Sequence, residues 1–281
     1  MIFDFSSTMK IIKTILATII TVGIAGCAPS KEQQAADLID KSIDALGSTD
    51  TIGALALLDS VHTHFPTCID ARRNADTIYW HIQLVRLYSQ LPSISQTIAT
   101  ADSIIVAKTK DFKFVKDDRY QDIGSFEHRF LRTENNTSRC NFKPTVDEHG
   151  TPAISIHYTG DNAHHDKIKI RIDTITIYSA SIADADITRF DSDGQYHEMI
   201  QIPANDVTDI FQQIATSSSS KVRVSLLGKP DFTFHLTSYQ LNAIAETYTL
   251  QQALHTLYRY NDAELRTQQK IESLRRRLNI E

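Results

Sequence analysis

Lys167-Ile-Lys-Ile-Arg-Ile172 decides the class of this chain. Three isoleucines alternate with three cations, and a period of two puts apolar side chains on one face of a strand and charge on the other. On a helix the same residues would be scattered around the axis. Directly downstream, Thr174-Ile-Thr-Ile-Tyr178 repeats the pattern with the apolar parity reversed, so a bulge or turn at Asp173-Thr174 must absorb the shift. Upstream, Ile154, Ile156 and Tyr158 alternate with Ser155 and His157, while Phe112/Phe114, Phe126/His128/Phe130 and Cys140/Phe142 keep the spacing of strand faces. Asp191-Ser-Asp-Gly194 reads as a turn, and residues 196–202 as the next strand. Residues 206–216 make one compact amphipathic helix, with Val207, Ile210, Phe211 and Ile214 on one side. Val222-Arg-Val-Ser-Leu226 and Phe232-Thr-Phe-His-Leu236, joined through Gly228-Lys-Pro230, predict a hairpin with one apolar and one polar side. Strands in such close succession, without βαβ alternation, favour a mostly antiparallel β-sandwich or open barrel over residues 111–236.

Before this region the period is helical. Ala35/Ala36, Ile39, Ile43 and Leu46 recur at steps of three and four, and Gly47 offers a stop. Asp50 is among the cap candidates for a second stripe, Ala54, Leu58, Val61 and Phe65, which Pro66 ends. Thr67 can cap a third, with Ala71, Ala75, Ile78, Ile82 and Val85 inward. Pro92 is expected to break it, so that Ile94, Ile98, Ala101 and Ile105 belong to a fourth. Short connections imply antiparallel neighbours, hence helical hairpins over 35–110. After the strands, Thr237 or Ser238 can cap a long C-terminal helix over 237–281, with Leu241, Ile244, Ala245 and Tyr248 inward. Asn261, Glu264 and Gln268 fall in its heptad seam, which argues against a coiled coil. The class expected is α+β.

The chain has 281 residues, an ordinary apolar fraction of 41% and a net charge of −5 with both signs interspersed, which gives no electrostatic case for nucleic acid. Its start is distinctive. A short basic head, Lys10 to Lys13, precedes Thr14-Ile-Leu-Ala-Thr-Ile-Ile-Thr-Val-Gly-Ile-Ala-Gly26 and Cys27. That is the layout of a secretory signal. The apolar run is about a dozen residues, against the roughly 20 needed to span a bilayer core. Asp4 and Phe5 suit such a head poorly, whereas Met9-Lys-Ile-Ile-Lys suits it well, so Met9 is the expected initiator.

Ile24-Ala25-Gly26-Cys27 resembles the lipobox of bacterial lipoprotein precursors. The resemblance implies cleavage between Gly26 and Cys27, lipidation of the Cys27 thiol, and residues 1–26 as a signal peptide. Residues 27–34 are then the lipidated cysteine and a polar tether. Several acyl chains on one residue hold an otherwise water-soluble domain at a membrane. Ala28 follows the cysteine. In the enterobacterial sorting rule an aspartate there means inner-membrane retention, so the address resembles an outer-membrane one. Within the helical region, Ala54-Leu-Ala-Leu-Leu-Asp-Ser-Val-His-Thr-His-Phe-Pro66, with Ala71 and Ala75, is similar to one tetratricopeptide-like unit. It covers about 30 residues without a second copy at the 34-residue period, so a lone hairpin accounts for it equally. Asp-Ser/Thr-apolar triplets, such as Asp50-Thr51-Ile52 and Asp173-Thr174-Ile175, resemble the O-glycosylation sequon of Bacteroidota envelope proteins. As a whole the layout resembles envelope lipoproteins of that group.

Catalytic signatures are absent. There is no Gly-x-Ser-x-Gly, no Gly-x4-Gly-Lys and no His-Glu-x-x-His, and no cofactor is expected. His62 and His64 are two apart on a helix and diverge, so they cannot chelate one ion. His164-His165 lies in a loop with Asp161 and Asp166, where a bend could join imidazole to carboxylate. Asp184, Asp186, Asp191 and Asp193 form an acidic region whose oxygens suit calcium, but Asp191-Ser-Asp-Gly194 lacks the rest of a calcium loop. Asp161, His164, His165, Asp191 and Asp193 are therefore the metal candidates, with turn chemistry as the competing reading. Cys68 and Cys140 could form one disulfide in an oxidising envelope or stay two buried thiols.

The function expected is a membrane-anchored envelope lipoprotein acting as a non-enzymatic binding or assembly module. Its partners would be the membrane, through lipidated Cys27, and an envelope protein or glycan. The alternative is a hydrolase or metal-dependent enzyme whose site assembles only in the fold, around His164, His165 and the 184–193 loop.

Overall fold

The computed structural model describes residues 29–280, except 133, 135, 137, 138, 193 and 218–220. The expected signal peptide, its cleavage position at Gly26 and the lipidation site Cys27 lie outside the described residues, as does Asp193. Two compact units are present, one ending at Gln83 and the other beginning at Leu84. The class is α+β. No described helix is long and apolar enough to cross a membrane.

The first unit contains α1 (Lys31–Gly47), α2 (Thr51–His64) and the opening turns of α3 (Ile69–Lys108). Ser30 caps α1 reciprocally: the Gln33 amide donates to Ser30 Oγ at 3.2 Å, and the Ser30 amide donates to Gln33 Oε1 at 3.0 Å. Asp50 caps α2, its Oδ1 accepting from the Gly53 amide at 2.8 Å. That use of Asp50 is local capping chemistry, which the Asp-Thr-Ile triplet supplies by itself. Ala35, Ala71 and Ala75 sit in one cluster with Ile39, Leu58, Val61, Cys68 and Ile82. Small side chains at these places let the helices approach closely.

Pro92 does not end the third helix. It lies inside α3, which continues to Lys108. A proline removes one hydrogen bond and crowds the preceding turn, at a cost of about 3 kcal/mol. Helical periodicity holds on both sides of it, and no glycine is at hand to turn the chain, so the cost is absorbed and one helix forms where two were expected. The change of period near Phe112 is likewise not the limit of a compact unit. Ile105 packs with Phe112, Val146, Leu250 and Leu254, which ties the end of α3 to the strands.

Among the described residues, the second unit holds ten strands in two antiparallel sheets. They are β1 (Phe112–Val115), β2 (Ser125–His128), β3 (Asn141–Asp147), β4 (Pro152–Gly160), β5 (Lys167–Ile172), β6 (Ile175–Tyr178), β7 (Ile187–Ser192), β8 (Gln195–Gln201), β9 (Val222–Leu227) and β10 (Phe232–His235). One sheet runs β1-β2-β3-β4-β8-β7, the other β10-β9-β5-β6. The two are interleaved along the chain: β5 and β6 fall between β4 and β8 in sequence but join the other sheet. Helix α4 (Ala204–Ala215) and helix α5 (Ser238–Leu278) complete the unit.

The parity shift at Asp173-Thr174 is a two-residue hairpin connection, with Ile172 opposite Ile175 and Ile170 opposite Ile177. Asp173 takes φ 50°, a left-handed conformation that aspartate tolerates better than most residues. The hairpin β9–β10 has the expected register, Leu226 opposite Phe232 and Val224 opposite Phe234. Strand β4 departs from simple alternation. Ile154 through Tyr158 are all buried, Ser155 and His157 included. β4 is central in its sheet, and its second face is also covered.

Both sheets contribute to one core. Ile154, Ile156 and Ile200 of the six-stranded sheet join Ile168, Ile170, Val222, Val224 and Leu226 of the four-stranded sheet. The Tyr158 ring meets Phe232 edge-on with centroids 5.0 Å apart. Val207, Ile210, Phe211 and Ile214 of α4 and Ala243 and Ile244 of α5 close this core. Thr237 caps α5 reciprocally with Gln240.

Candidate functional site

The buried histidines, His128, His157, His165 and His197, each make a side-chain contact to another element of the second unit. Glu198, on β8, is fully buried and uses both carboxylate oxygens. Oε2 accepts from His165 Nδ1 at 2.5 Å and from the His165 amide at 3.4 Å. Oε1 accepts from Arg189 Nε at 3.2 Å and from the Tyr196 hydroxyl at 3.1 Å. Arg189 goes on to Asp184 Oδ1 at 2.9 Å and to the His165 carbonyl at 3.4 Å. Burial alone pushes the Glu198 carboxyl up, but the hydrogen bond and charge of His165, with Tyr196 and Arg189, bring it below the ordinary carboxylate value. Burial and the bond to Glu198 push the Tyr196 hydroxyl up to about 12.

A carboxylate on Nδ1 of a histidine is the arrangement that readies Nε2 as a base. Here the ring has no room to act. His165 is fully buried, its ring and that of Tyr158 meet in a T-shape with centroids 4.6 Å apart, and Gly228 lies against it. A Cβ at Gly228 would come within 2.9 Å of His165 Cδ2 and 2.6 Å of the Ala163 carbonyl. The network pins the 161–166 connection, where the chain passes from one sheet to the other, onto β8 and β7.

The second pair, His157 on β4 and His197 on β8, stacks almost parallel, with His157 Nε2 and His197 Nδ1 3.1 Å apart. Thr159 Oγ1 is 3.0 Å from His197 Nδ1, and Phe190 stacks on the far side of His197. Burial, helped by the neighbouring His197, lowers the His157 pKa and favours the neutral ring. The third, His128 on β2, faces Glu246 of α5 at 2.9 Å through Nε2 and accepts from the Phe130 amide through Nδ1. It fastens α5 to the six-stranded sheet.

The loops of the metal candidates do approach each other, and Arg189 is what joins them, through Asp184 and the His165 carbonyl. Asp161, His164 and Asp191 are exposed, and His165 is committed to Glu198. Among the described residues no three histidine, cysteine or carboxylate side chains converge closely enough to hold a metal ion. His62 Nδ1 accepts from Arg72 Nε and its Nε2 faces Asp76 Oδ1, both on α3, apart from His64, which bonds back to the Ser60 carbonyl. Cys68 and Cys140 are free thiols. Burial pushes the Cys140 thiol up, which makes it a poor nucleophile at neutral pH.

Exposed chemistry is concentrated on the outer face of the four-stranded sheet. Register fixes its membership. Arg223 lies opposite Arg171, and Ser225 opposite Lys169. Thr233 lies opposite Ser225, and His235 opposite Arg223. Tyr178 lies opposite Lys169, and Thr176 opposite Arg171. Lys169, Arg171, Thr176, Tyr178, Arg223, Ser225 and Thr233 line a shallow concavity of about 260 Å³. Among the described residues, none of Lys167, Lys169, Arg171 and Arg223 forms an ion pair. Strand positions of this face carry no carboxylate; Asp166, Asp173 and Asp231 flank the strands at their ends. Lys167 Nζ stands 5.6 Å from the Tyr178 ring centroid, and Thr233 Oγ1 donates to Ser225 Oγ at 2.9 Å.

Two of these features had a signal in the sequence. The cations of 167–171 are written on the polar parity of the strand. Glu198 is a carboxylate on the apolar parity of its strand, between Tyr196 and Ile200, and that misfit marks a buried partner. No protein-family model, curated protein or solved structure matches the chain.

Proposed function

We propose that the chain is a lipid-anchored protein of the bacterial envelope whose folded part is a non-enzymatic binding or assembly module. The anchoring half rests on the lipobox-like Ile24-Ala25-Gly26-Cys27 and the apolar run before it. The binding half is carried by one observation: the buried histidines are held against partners inside the fold, whereas cations without an ion-pair partner among the described residues are gathered with hydroxyls on one open sheet face. A hydrolase would need His165 Nε2 to reach a substrate, and that atom is buried in the interior.

Growth of the native host with a radiolabelled fatty acid tests the anchor. The full chain takes up label and sediments with membranes, and Cys27→Ala abolishes both. Equal labelling and sedimentation of the Cys27→Ala chain would overturn the lipoprotein reading. In-cell crosslinking of the tagged chain, followed by detergent extraction, tests the module: a defined envelope protein or glycan co-purifies, and a chain that recovers neither overturns it.

A further inference from the structure

We propose that the concave outer face of the four-stranded sheet binds an acidic saccharide, with Arg171, Arg223 and Lys169 on its acid groups and Tyr178, Ser225 and Thr233 on its ring. The assignment deepens the binding-module reading and rests on it.

The charge arrangement is the first argument. Arg171 and Arg223 are directly opposed on neighbouring strands. Such neighbours have Cβ atoms about 5 Å apart, and like charges placed there destabilise a sheet. Lys169 adds a third cation next along β5. No carboxylate occupies the strand positions of the face to neutralise it; the bonds these arginines make run from Arg171 Nε to the Asp173 carbonyl at 3.1 Å and from Arg223 Nε to His235 Nε2 at 3.4 Å, and neither removes the like-charge contact. An anionic ligand is what the arrangement stabilises. Two adjacent guanidinium groups offer planar forks to a carboxylate or a phosphate, the geometry in which arginine outperforms lysine.

The rest of the face selects the carrier of that anion. Tyr178 is about half exposed and gives a flat apolar surface beside the cations. Tyr178 lines the concavity, with Lys167 Nζ over its ring at 5.6 Å from the centroid. Thr176 and Thr233 present hydroxyls at the wall, and Ser225 a hydroxyl at the floor. Because Ser225 Oγ accepts from Thr233, its own proton is available to a ligand oxygen. Hydroxyl donors, one aromatic plane and cations together fit a sugar ring bearing an acid. The concavity of about 260 Å³ lies just under the roughly 300–1,000 Å³ of enclosed ligand pockets, which suits one ring on an open surface along which further rings can extend.

Two other polyanions fit less well. A lipid surface needs apolar side chains that enter the acyl boundary, and this face offers only half-buried Leu227 besides Tyr178. A nucleic acid meets a chain of net charge −5 and a single aromatic ring, too little for a stacking platform.

The test is fluorescence anisotropy with the full-length chain in non-ionic detergent. The probes are labelled oligogalacturonate, a labelled phosphorylated oligomannose, and a neutral oligogalactose of equal length. At least one acidic probe binds saturably and about tenfold or more tighter than the neutral one, as expected for one charge-assisted contact. Arg223→Gln and Arg171→Gln each weaken it by about tenfold, and Tyr178→Ala weakens the binding that persists at high salt. These side chains are exposed, so unchanged thermal unfolding shows that the variants are folded. Absence of binding to both acidic probes, equal affinity for the neutral probe, or affinity unchanged in Arg223→Gln would overturn the proposal. So would tighter binding to phosphatidylglycerol vesicles than to either saccharide, with loss in the same variants. Failure here is separable from failure of the broader reading. A chain that ignores the saccharides yet takes up fatty acid at Cys27 and recovers a crosslinked partner loses only the ligand class.

Discussion

Glu198→Ala would leave Arg189, Tyr196 and His165 turned toward a gap in the interior. Breaking a buried, multiply bonded ion pair from one side costs about 3–5 kcal/mol, because the remaining charge has no partner and no water. Urea unfolding of the variant should show that loss, and Glu198→Gln, which keeps the shape and one acceptor oxygen, a smaller one. Acid acts on the same group. The Glu198 carboxyl titrates lower in the fold than its ordinary 4.5, so its contribution is complete above that value and is lost as pH falls from there through the lower folded value. His157 also titrates lower in the fold, below its ordinary 6.5. Between the folded and unfolded values the unfolded chain takes a proton that the native ring refuses, so stability falls as pH drops below about 6.5. In His157→Gln the unfolding free energy should be flatter across that window. None of the three side-chain partners of Glu198 could be named from the sequence. The parity of its strand marks Glu198 as buried, but which residue of a 33-residue-distant loop reaches it depends on how two sheets share one crossover.

At the scale of elements, two positions can be tested directly. Pro92→Ala returns an amide donor to the interior of α3 and removes the ring from the preceding turn, so stability should rise by up to about 3 kcal/mol, read as a higher unfolding temperature. Gly150 makes the opposite case. It takes φ 79° in the β3–β4 turn, a Cβ there would fall on the His255 backbone, and its carbonyl accepts from Gln251 Nε2 at 2.8 Å. Gly150→Ala should cost about 1–3 kcal/mol or more, from backbone strain and overpacking together, and chemical denaturation would show it. Period-two strands such as 167–172 and the 222–236 hairpin were legible because one face is wet, so alternation writes the fold into the residue types. β4 was legible as a strand but not as a doubly covered one: Ser155 and His157 look like a solvent face, and only the loop and strands around them decide otherwise. Pro92 misled for the converse reason. A breaker is a local signal, and the helix on both sides of it outweighs a local cost.

For the whole molecule, composition and period together carry the α+β class, since helical periods bracket a region of period two. The limit of the compact units was not legible in the same way. Residues 84–108 are helical in pattern but pack with strands through Ile105, and no change in composition marks Gln83. The proposed binding face was half legible. Lys167, Lys169 and Arg171 announce a charged side, but Arg223 joins them only through the pairing of β5 with β9, more than 50 residues on in sequence.

That interleaving sets an order in time. A ribosome that has released β5 and β6 has made only one side of the four-stranded sheet, because β9 is still to come. It has also left β4 without β8, its neighbour in the six-stranded sheet. Neither sheet can close on a partial chain, and the core they share waits for α5 besides. The second unit therefore stays incomplete until its synthesis is almost finished. The completed core of that unit is thus a late event in the life of the chain, one that follows the last strand and α5.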